Sequence, residues 1–336
     1  MKNQNIIFTA VGVAAITETE APTPKANEVL VRTVRDTIST GTERANLMGD
    51  PNVSIYSNNK VAVYPRSTGY SISGIVEAVG ANVKSVKVGD RVACSWTKHS
   101  TYNVLQESKV YKLPDEVGFD AAALVHIATF PLAAIRKCKV EVGESAMVMG
   151  LGVLGLAAIQ LLHAAGAVPV IACDPIESKR QRALELGADY ALDPFDPDFA
   201  KKLKDLTNGG AKVCIEVTGL GQGLDMALDC MANFGRVALL GCTRSSDFTI
   251  DYYHKVHGPG ITLVGAHTNA RPRFDSSDGW WTERDDAFTL INLQAHGRIN
   301  LAGLVDEVHS YKEGPEVFGR LATEKNFPIV QFDWDN

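Results

Sequence analysis

The segment GLGVLG, Gly150 to Gly155, carries the clearest chemistry in the sequence. It fits G-x-G-x-x-G, follows a strand-like run, SAMVM, and opens a helix-like run, VLGLAAIQLLHAA. Gly150 permits a tight turn, Gly152 lets a pyrophosphate approach the backbone, and Gly155 lets helix and strand pack closely. The first helical residues, Val153 and Leu154, offer unpaired N–H groups and the positive end of the helix dipole to phosphate. Asp174 ends the next strand-like run, VPVIAC, nineteen residues beyond Gly155. There it would accept hydrogen bonds from adenosine ribose hydroxyls and repel a 2′-phosphate, so NAD is favoured over NADP. Lys179 and Arg180, one helix turn further on, soften that preference. The bland alternative is a βαβ unit that holds no ligand.

Such a site needs strands and helices in alternation, and from Glu144 the chain supplies them. After the fingerprint come a helix ESKRQRALELG, a strand edge YALD, a helix DFAKKLKDLTNG, then KVCIEVTG, GLDMALDCMANFG, RVALLGC and ITLVGAH. The series predicts an α/β fold with a parallel, doubly wound sheet. The first 120 or so residues differ. They are glycine-rich, EVLVRTVR and YSISGIVEAV alternate as strands, and the first long helical period is FDAAALVHIATFPLAAIRKC. After His267 the alternation stops at TNARPRFDSSDGWWTERDD. A helix AFTLINLQAHG follows, then a tail whose FPIVQF pattern is expected to rejoin the first domain.

Bulk properties narrow the class. A chain of 336 residues suggests about two domains, and 45% apolar with 21% charged residues suits a globular protein. A net charge of -6 without a basic run argues against nucleic-acid or anionic-membrane partners. Between Glu144 and Asp174 there is no formal charge, but Gly150, Gly152, Gly155, Gly166 and Pro169 break the run, so a buried strand–helix–strand explains it better than a membrane span. Cysteines at 94, 138, 173, 214, 230 and 242 form no CxxC, which favours a reducing compartment. The start, MKNQNIIFTA, shows no cleavable signal, and a cytoplasmic location is expected.

GIVEAVG and VGDRVA, then KLPDEVGFDAAAL, VMGLGVLGLAAIQLLHAAGA, EVTG and ALLG run in an order and spacing that resembles the medium-chain dehydrogenase/reductase superfamily, which includes the zinc alcohol and polyol dehydrogenases. The likeness spans nearly the whole chain. It implies a GroES-like β-rich catalytic domain from residues 1–126 and 268–336, a Rossmann domain at 127–267, and an active site in the cleft. It also implies cofactor contacts at Thr218, Gly241 and Cys242, with the Ala266 backbone near the nicotinamide carboxamide. Zinc members of the family hold the metal with a cysteine, a His-Glu pair and a third ligand. The matching positions here are Thr40, Tyr70 with Ser71, and Val125, none a good zinc ligand, and the four-cysteine lobe is missing from ACSWTKHSTYNV. No bound metal is expected. His254 and His257, at i, i+3, read as ordinary polar histidines.

The resemblance then implies zinc-free hydride transfer, in which a side chain must take the hydroxyl proton. Tyr70 is placed on the cleft floor, where its phenol would bond the reacting oxygen; packing across strands is the competing role. STGTER supplies Thr40, Thr42 and Glu43, and Lys98 or His99 is the expected base, with Tyr70 and Glu43 in the hydrogen-bond chain, although an exposed lysine and a satisfied histidine are commoner. His267, Trp280 and Trp281 would meet substrate, the tryptophans otherwise serving as loop anchors. The polar character of STGTER, GYS, GAHTNARP and GWWTERD suggests a polyol, cyclitol or sugar-like substrate. Rival readings are a zinc-free quinone or enone reductase and a non-catalytic NAD(H)-binding protein. The strand GITLVGAH suggests a homodimer or homotetramer.

Overall fold

The computed structural model of the chain describes residues 1–53 and 62–335. The chain forms two compact units, Met1–Ile127 with Ala287–Asn336, and Ala128–Asp286.

The second unit is built on six strands in the spatial order Tyr190–Leu192, Val170–Cys173, Ala146–Met149, Ala211–Glu216, Met231–Leu239 and Thr262–Gly265. Every pairing is parallel. The order steps outward from Ala146–Met149 and then reverses to the other side, so a crevice opens beside that strand where its two neighbours diverge. Helices Val153–Ala164, Glu177–Glu185, Phe199–Leu206 and Gly221–Asp229 supply crossovers. Ala146–Met149 and Val170–Cys173 are buried at every residue, which is why they read as unbroken apolar runs. Met147, Met149, Ile171, Cys214 and Val237 centre the core, with Leu203 and Leu224 packed from helices.

In the first unit a sheet runs in the order Glu307–Ser310, Val330–Asp333, Glu28–Thr37, Ser71–Val79, Arg91–Ser95 and Val110–Lys112, with Tyr102–Gln106 also on Glu28–Thr37. A smaller sheet joins Val13–Glu20, Lys2–Ala10 and Arg66–Ser67. The tail strand Val330–Asp333 pairs antiparallel with Glu28–Thr37, Gln331 opposite Thr37, so the two ends of the chain share one sheet. Phe8, Ile38, Leu47, Phe318 and Phe332 form a core between them.

The division differs from the expected one at its second boundary. The second unit runs past His267 to Asp286 because the loop after His267 bonds back to the helix Val125–Lys137 and the turn beyond it. Arg271 Nη2 donates to the Thr129 carbonyl at 3.2 Å, and Lys139 Nζ to Asp278 at 2.7 Å. All six cysteines are free, five of them buried and Cys242 exposed. Among the described residues no helix is long and apolar enough to cross a membrane.

Candidate functional site

The glycine turn of the second unit has the geometry a dinucleotide needs. Gly150 sits at φ 97°, in the left-handed region. A Cβ on Gly155 would fall 1.9 Å from the Gly150 carbonyl oxygen, so helix and strand meet here only through glycine. At Gly152, which caps the helix Val153–Ala164, an added Cβ would meet nothing within 4 Å. That open backbone at a helix N-terminus suits a pyrophosphate.

Asp174 is buried, and it does more than the spacing alone suggested. Its Oδ2 accepts the Leu151 N–H at 2.9 Å, tying the glycine turn to the neighbouring strand, and its Oδ1 accepts the Ile176 N–H at 2.9 Å. An ionised carboxylate has about four acceptor positions, so capacity remains for ribose hydroxyls. Arg180 is committed, donating to the Asp174 carbonyl at 2.8 Å beside Asp193, and Lys179 is half-buried on the same helix. Thr218 bonds the Glu216 carboxylate through its N–H at 2.8 Å and through its hydroxyl. Burial raises the Glu216 pKa against those bonds. The Gly241 N–H donates to the Glu216 carbonyl at 2.8 Å, and Cys242 next to it is exposed. The Ala266 N–H is used by the Leu239 carbonyl at 3.2 Å.

The first unit contains a cavity of about 210 Å³. Thr42, Glu43 and Asn46 reach it from the helix Thr40–Met48; Ser67, Thr68, Gly69 and Tyr70 from the segment before Ser71–Val79; Trp96 and Thr97 from the turn after Arg91–Ser95. Gly69, at φ 98°, brings its segment against the neighbouring backbone: a Cβ there would lie 2.7 Å from the His99 nitrogen, which donates to the Thr68 carbonyl at 3.0 Å. Trp96 has φ 60°, a conformation costing a bulky L residue roughly 1–2 kcal/mol. Its N–H, bonded to the Tyr70 carbonyl at 2.8 Å, helps hold it there. Strain of this kind gathers at functional sites.

His126 packs against the two aromatic residues of the cavity wall. It is buried on the first turn of Val125–Lys137, with its ring edge-on to Tyr70 at 5.5 Å and to Trp96 at 4.9 Å between centroids. Sequence reasoning passed over it. Its signal was one ionisable residue inside the largely apolar run AAALVHIATF. The Thr68 and Thr97 hydroxyls are buried and make no hydrogen bond among the described residues. Each costs about 1–3 kcal/mol in that state.

His99 corrects an expectation. It does not face the cavity as a base but is 1% exposed, with Nδ1 2.8 Å from Asp36 Oδ2 and Nε2 2.6 Å from Glu43 Oε2. Burial opposes its charge, yet Glu43 and then Asp36 outweigh burial and raise its pKa well above the usual histidine value. An imidazolium donating both protons to carboxylates cannot accept a substrate proton. Glu43 does line the cavity, but its other oxygen accepts the Ser39 N–H at 2.8 Å, closing the start of the helix. Lys98 is exposed and Thr40 half-buried, and neither is among the residues around the cavity. Of the chain expected from Lys98 or His99 through Glu43 and Tyr70, the His99–Glu43 bond is present and Glu43 and Tyr70 both line the cavity, while Lys98 lies outside it.

Trp280 and Trp281 belong to the second unit and stack on cations there. The Arg136 guanidinium lies 3.4 Å from the Trp281 ring centroid and Lys137 Nζ 5.1 Å from that of Trp280, the geometry of loop anchors. Asp286, buried between Arg136 and Arg271, has its pKa pushed up to about 6 by burial against those two cations. His267 Nδ1 accepts the Asn269 N–H at 3.2 Å, and burial, with Lys137 nearby, lowers its pKa.

The positions matching the family's zinc ligands do not suit the metal. Thr40 and Val125 offer no soft or anionic donor, Tyr70 packs against two rings, and the Ser71 hydroxyl donates to the Ala123 carbonyl at 2.6 Å. Among the described residues no group of three His, Cys, Asp or Glu side chains is arranged to hold a metal ion. His254 is paired with Asp251 on an exposed turn, Nδ1 to Oδ2 2.8 Å.

Fold and glycine turn together define an oxidoreductase dependent on a nicotinamide nucleotide, built of a Rossmann unit and a GroES-like unit. Residues 25–135 match the alcohol dehydrogenase GroES-like domain family, and residues 153–278 match the zinc-binding dehydrogenase family. The chain belongs to the medium-chain dehydrogenase/reductase superfamily. Similar proteins include L-threonine 3-dehydrogenase of Thermococcus kodakarensis, 28% identical over 95% of this chain and 94% of its own. D-guloside 3-dehydrogenase of Escherichia coli is 28% identical over 94% and 95% respectively. An Escherichia coli oxidoreductase/dehydrogenase of unknown specificity superposes with a TM-score of 0.85 at 21% identity, covering 99% of each chain.

Proposed function

We propose that this protein is a zinc-independent, NAD-dependent dehydrogenase that interconverts a hydroxyl and a keto group on a polyol, cyclitol or sugar-like substrate. The observation that carries the reading is the cavity wall, made of hydroxyl, amide and aromatic groups and the Glu43 carboxylate, with Tyr70 in it at a position matched to a zinc ligand of the family. The nucleotide, when bound, accepts or returns the hydride. Asp174 and the open backbone at Gly152 favour the form without a 2′-phosphate. Tyr70, at the cavity wall, is the group assigned to hydrogen-bond the reacting oxygen and pass its proton, and its strained neighbour Trp96 and the buried His126 fix the ring.

The test is oxidation of a polyol and cyclitol panel with NAD by chelator-treated enzyme, alongside metal analysis. Turnover without metal is expected, with a roughly 100-fold loss of kcat in Tyr70→Phe for loss of an acid/base group. Stoichiometric zinc, or activity lost to chelator and restored by zinc, overturns the reading. Two further assignments belong to it. An assembly of two or four copies is supported by Thr262–Gly265, an edge strand with exposed side chains. A cytoplasmic setting is supported by six free cysteines.

A further inference from the structure

Two buried acids flank the fingerprint strand Ala146–Met149, each at the end of a neighbouring strand. Met149 pairs with Cys173 on one side, where Asp174 follows, and with Glu216 on the other. Glu216 is 2% exposed and ends Ala211–Glu216. The sheet order reverses between Ala146–Met149 and Ala211–Glu216, so the turn after Glu216 forms the lip of the crevice opposite Asp174. Glu216 is spent on that turn. Its Oε1 accepts the Thr218 N–H at 2.8 Å and the Thr218 hydroxyl, and its Oε2 accepts the Gly219 N–H at 3.3 Å. The same hydroxyl accepts the Leu220 N–H at 3.1 Å, ahead of the helix Gly221–Asp229. Its single proton is thus committed to Glu216. The Thr218 methyl lies against the glycine turn, since a Cβ on Gly150 would be 3.0 Å from Thr218 Cγ2. Gly219, at φ 65°, backs onto the segment after Met231–Leu239, where a Cβ would be 2.7 Å from the Cys242 carbonyl oxygen. One carboxyl group therefore sets a turn that touches both neighbouring crevice loops.

We infer that Glu216 is a positioning residue for the nicotinamide half of the dinucleotide, acting through the Thr218–Gly219 turn; this rests on the nucleotide reading of Gly150–Gly155 and Asp174. A dinucleotide laid across the reversal point has its adenosine ribose at Asp174 and its pyrophosphate at Gly152. Its second nucleoside then passes over the ends of Ala211–Glu216 and Met231–Leu239. There it meets the turn that Glu216 holds. Without the carboxyl group the Thr218 and Gly219 N–H groups lose their acceptor and the turn relaxes. Asp174 keeps its own bonds to the Leu151 and Ile176 N–H groups, so the adenosine side stays formed.

The experiment reads NADH and ADP separately, because ADP fills the adenosine and pyrophosphate positions and leaves the nicotinamide position empty. NADH binding to the full chain is followed by cofactor fluorescence, ADP binding by calorimetry, and each variant is checked by thermal unfolding. Glu216→Met, close in length and without a carboxyl group, is expected to weaken NADH binding about tenfold and to hold ADP affinity within about twofold. Glu216→Asp keeps a carboxylate two residues before the Thr218 N–H, as Asp174 does for Ile176. It is expected to restore NADH affinity to within about threefold of the parent. Unchanged NADH affinity in the folded Met variant overturns the inference. An equal loss of NADH and ADP affinity does so too, because Glu216 would then support the whole sheet rather than one half of the site. If Glu216→Met does not fold, Glu216→Gln is judged by the same two criteria. A parent that binds neither nucleotide overturns the nucleotide site itself, before any variant is compared.

Discussion

An imidazole enclosed by two carboxylates, as His99 is by Asp36 and Glu43, contributes to stability in a way that depends on pH. Its folded pKa is raised, so the contribution is complete below the unfolded value of about 6.5 and is lost as pH rises through the folded value. Replacing His99 by Leu leaves two buried carboxylates without their cation, and a loss of about 3–5 kcal/mol is expected in urea unfolding at neutral pH. The alkaline decline of stability in the parent should be absent from that variant. A variant within about 1 kcal/mol of the parent would show that the ion cluster is not a structural element. His99 also marks a limit of sequence reading. Its residue type was visible, but whether the ring met solvent depended on Asp36, Glu43 and Phe332, which lie on three distant segments.

At the level of elements, the glycines of GLGVLG separate packing from ligand approach. Gly155→Ala places a methyl 1.9 Å from a backbone oxygen, and a destabilisation of about 1–3 kcal/mol or more is expected as helix and strand part. Gly152→Ala meets no atom within 4 Å, so the fold should hold while NAD affinity falls about tenfold or more. Calorimetric titration with NAD, together with thermal unfolding of both variants, distinguishes the two. Loss of stability in Gly152→Ala with unchanged affinity would mean that the turn does not receive phosphate. This part of the site was legible in advance, because a strand, a glycine turn and a helix are contiguous and their spacing sets their geometry. The cavity of the first unit was legible only in pieces. Tyr70 and Glu43 were found, while Trp96, His126, Thr68 and Thr97 were not, since no local period marks residues that converge from four separate segments.

For the whole molecule, the six-stranded sheet ends at Thr262–Gly265 with Thr262, Leu263 and Gly265 exposed. An edge of this kind is a template for pairing with a second copy. Light scattering behind size-exclusion chromatography is expected to give two or four chains, and Leu263→Lys to shift the mass towards one. A monomeric parent at micromolar concentration would refute the assembly. The division into units also belongs to this scale. The return of Val330–Asp333 to the first sheet followed from its strand pattern, but the allegiance of residues 268–286 did not, because their side-chain anchors on Thr129, Arg136 and Lys139 are set by tertiary packing.

What the amino-acid order determined by itself was the local and periodic part: the alternating α/β series, the glycine turn between strand and helix, and the acid at the end of the next strand. The tertiary structure alone decided which polar groups find hydrogen-bond partners within the protein. His99 and Arg180 proved committed, Thr68 and Thr97 did not. Hydrogen-bond partners across a cavity come from segments far apart in the chain, and commitment is a property of the pair.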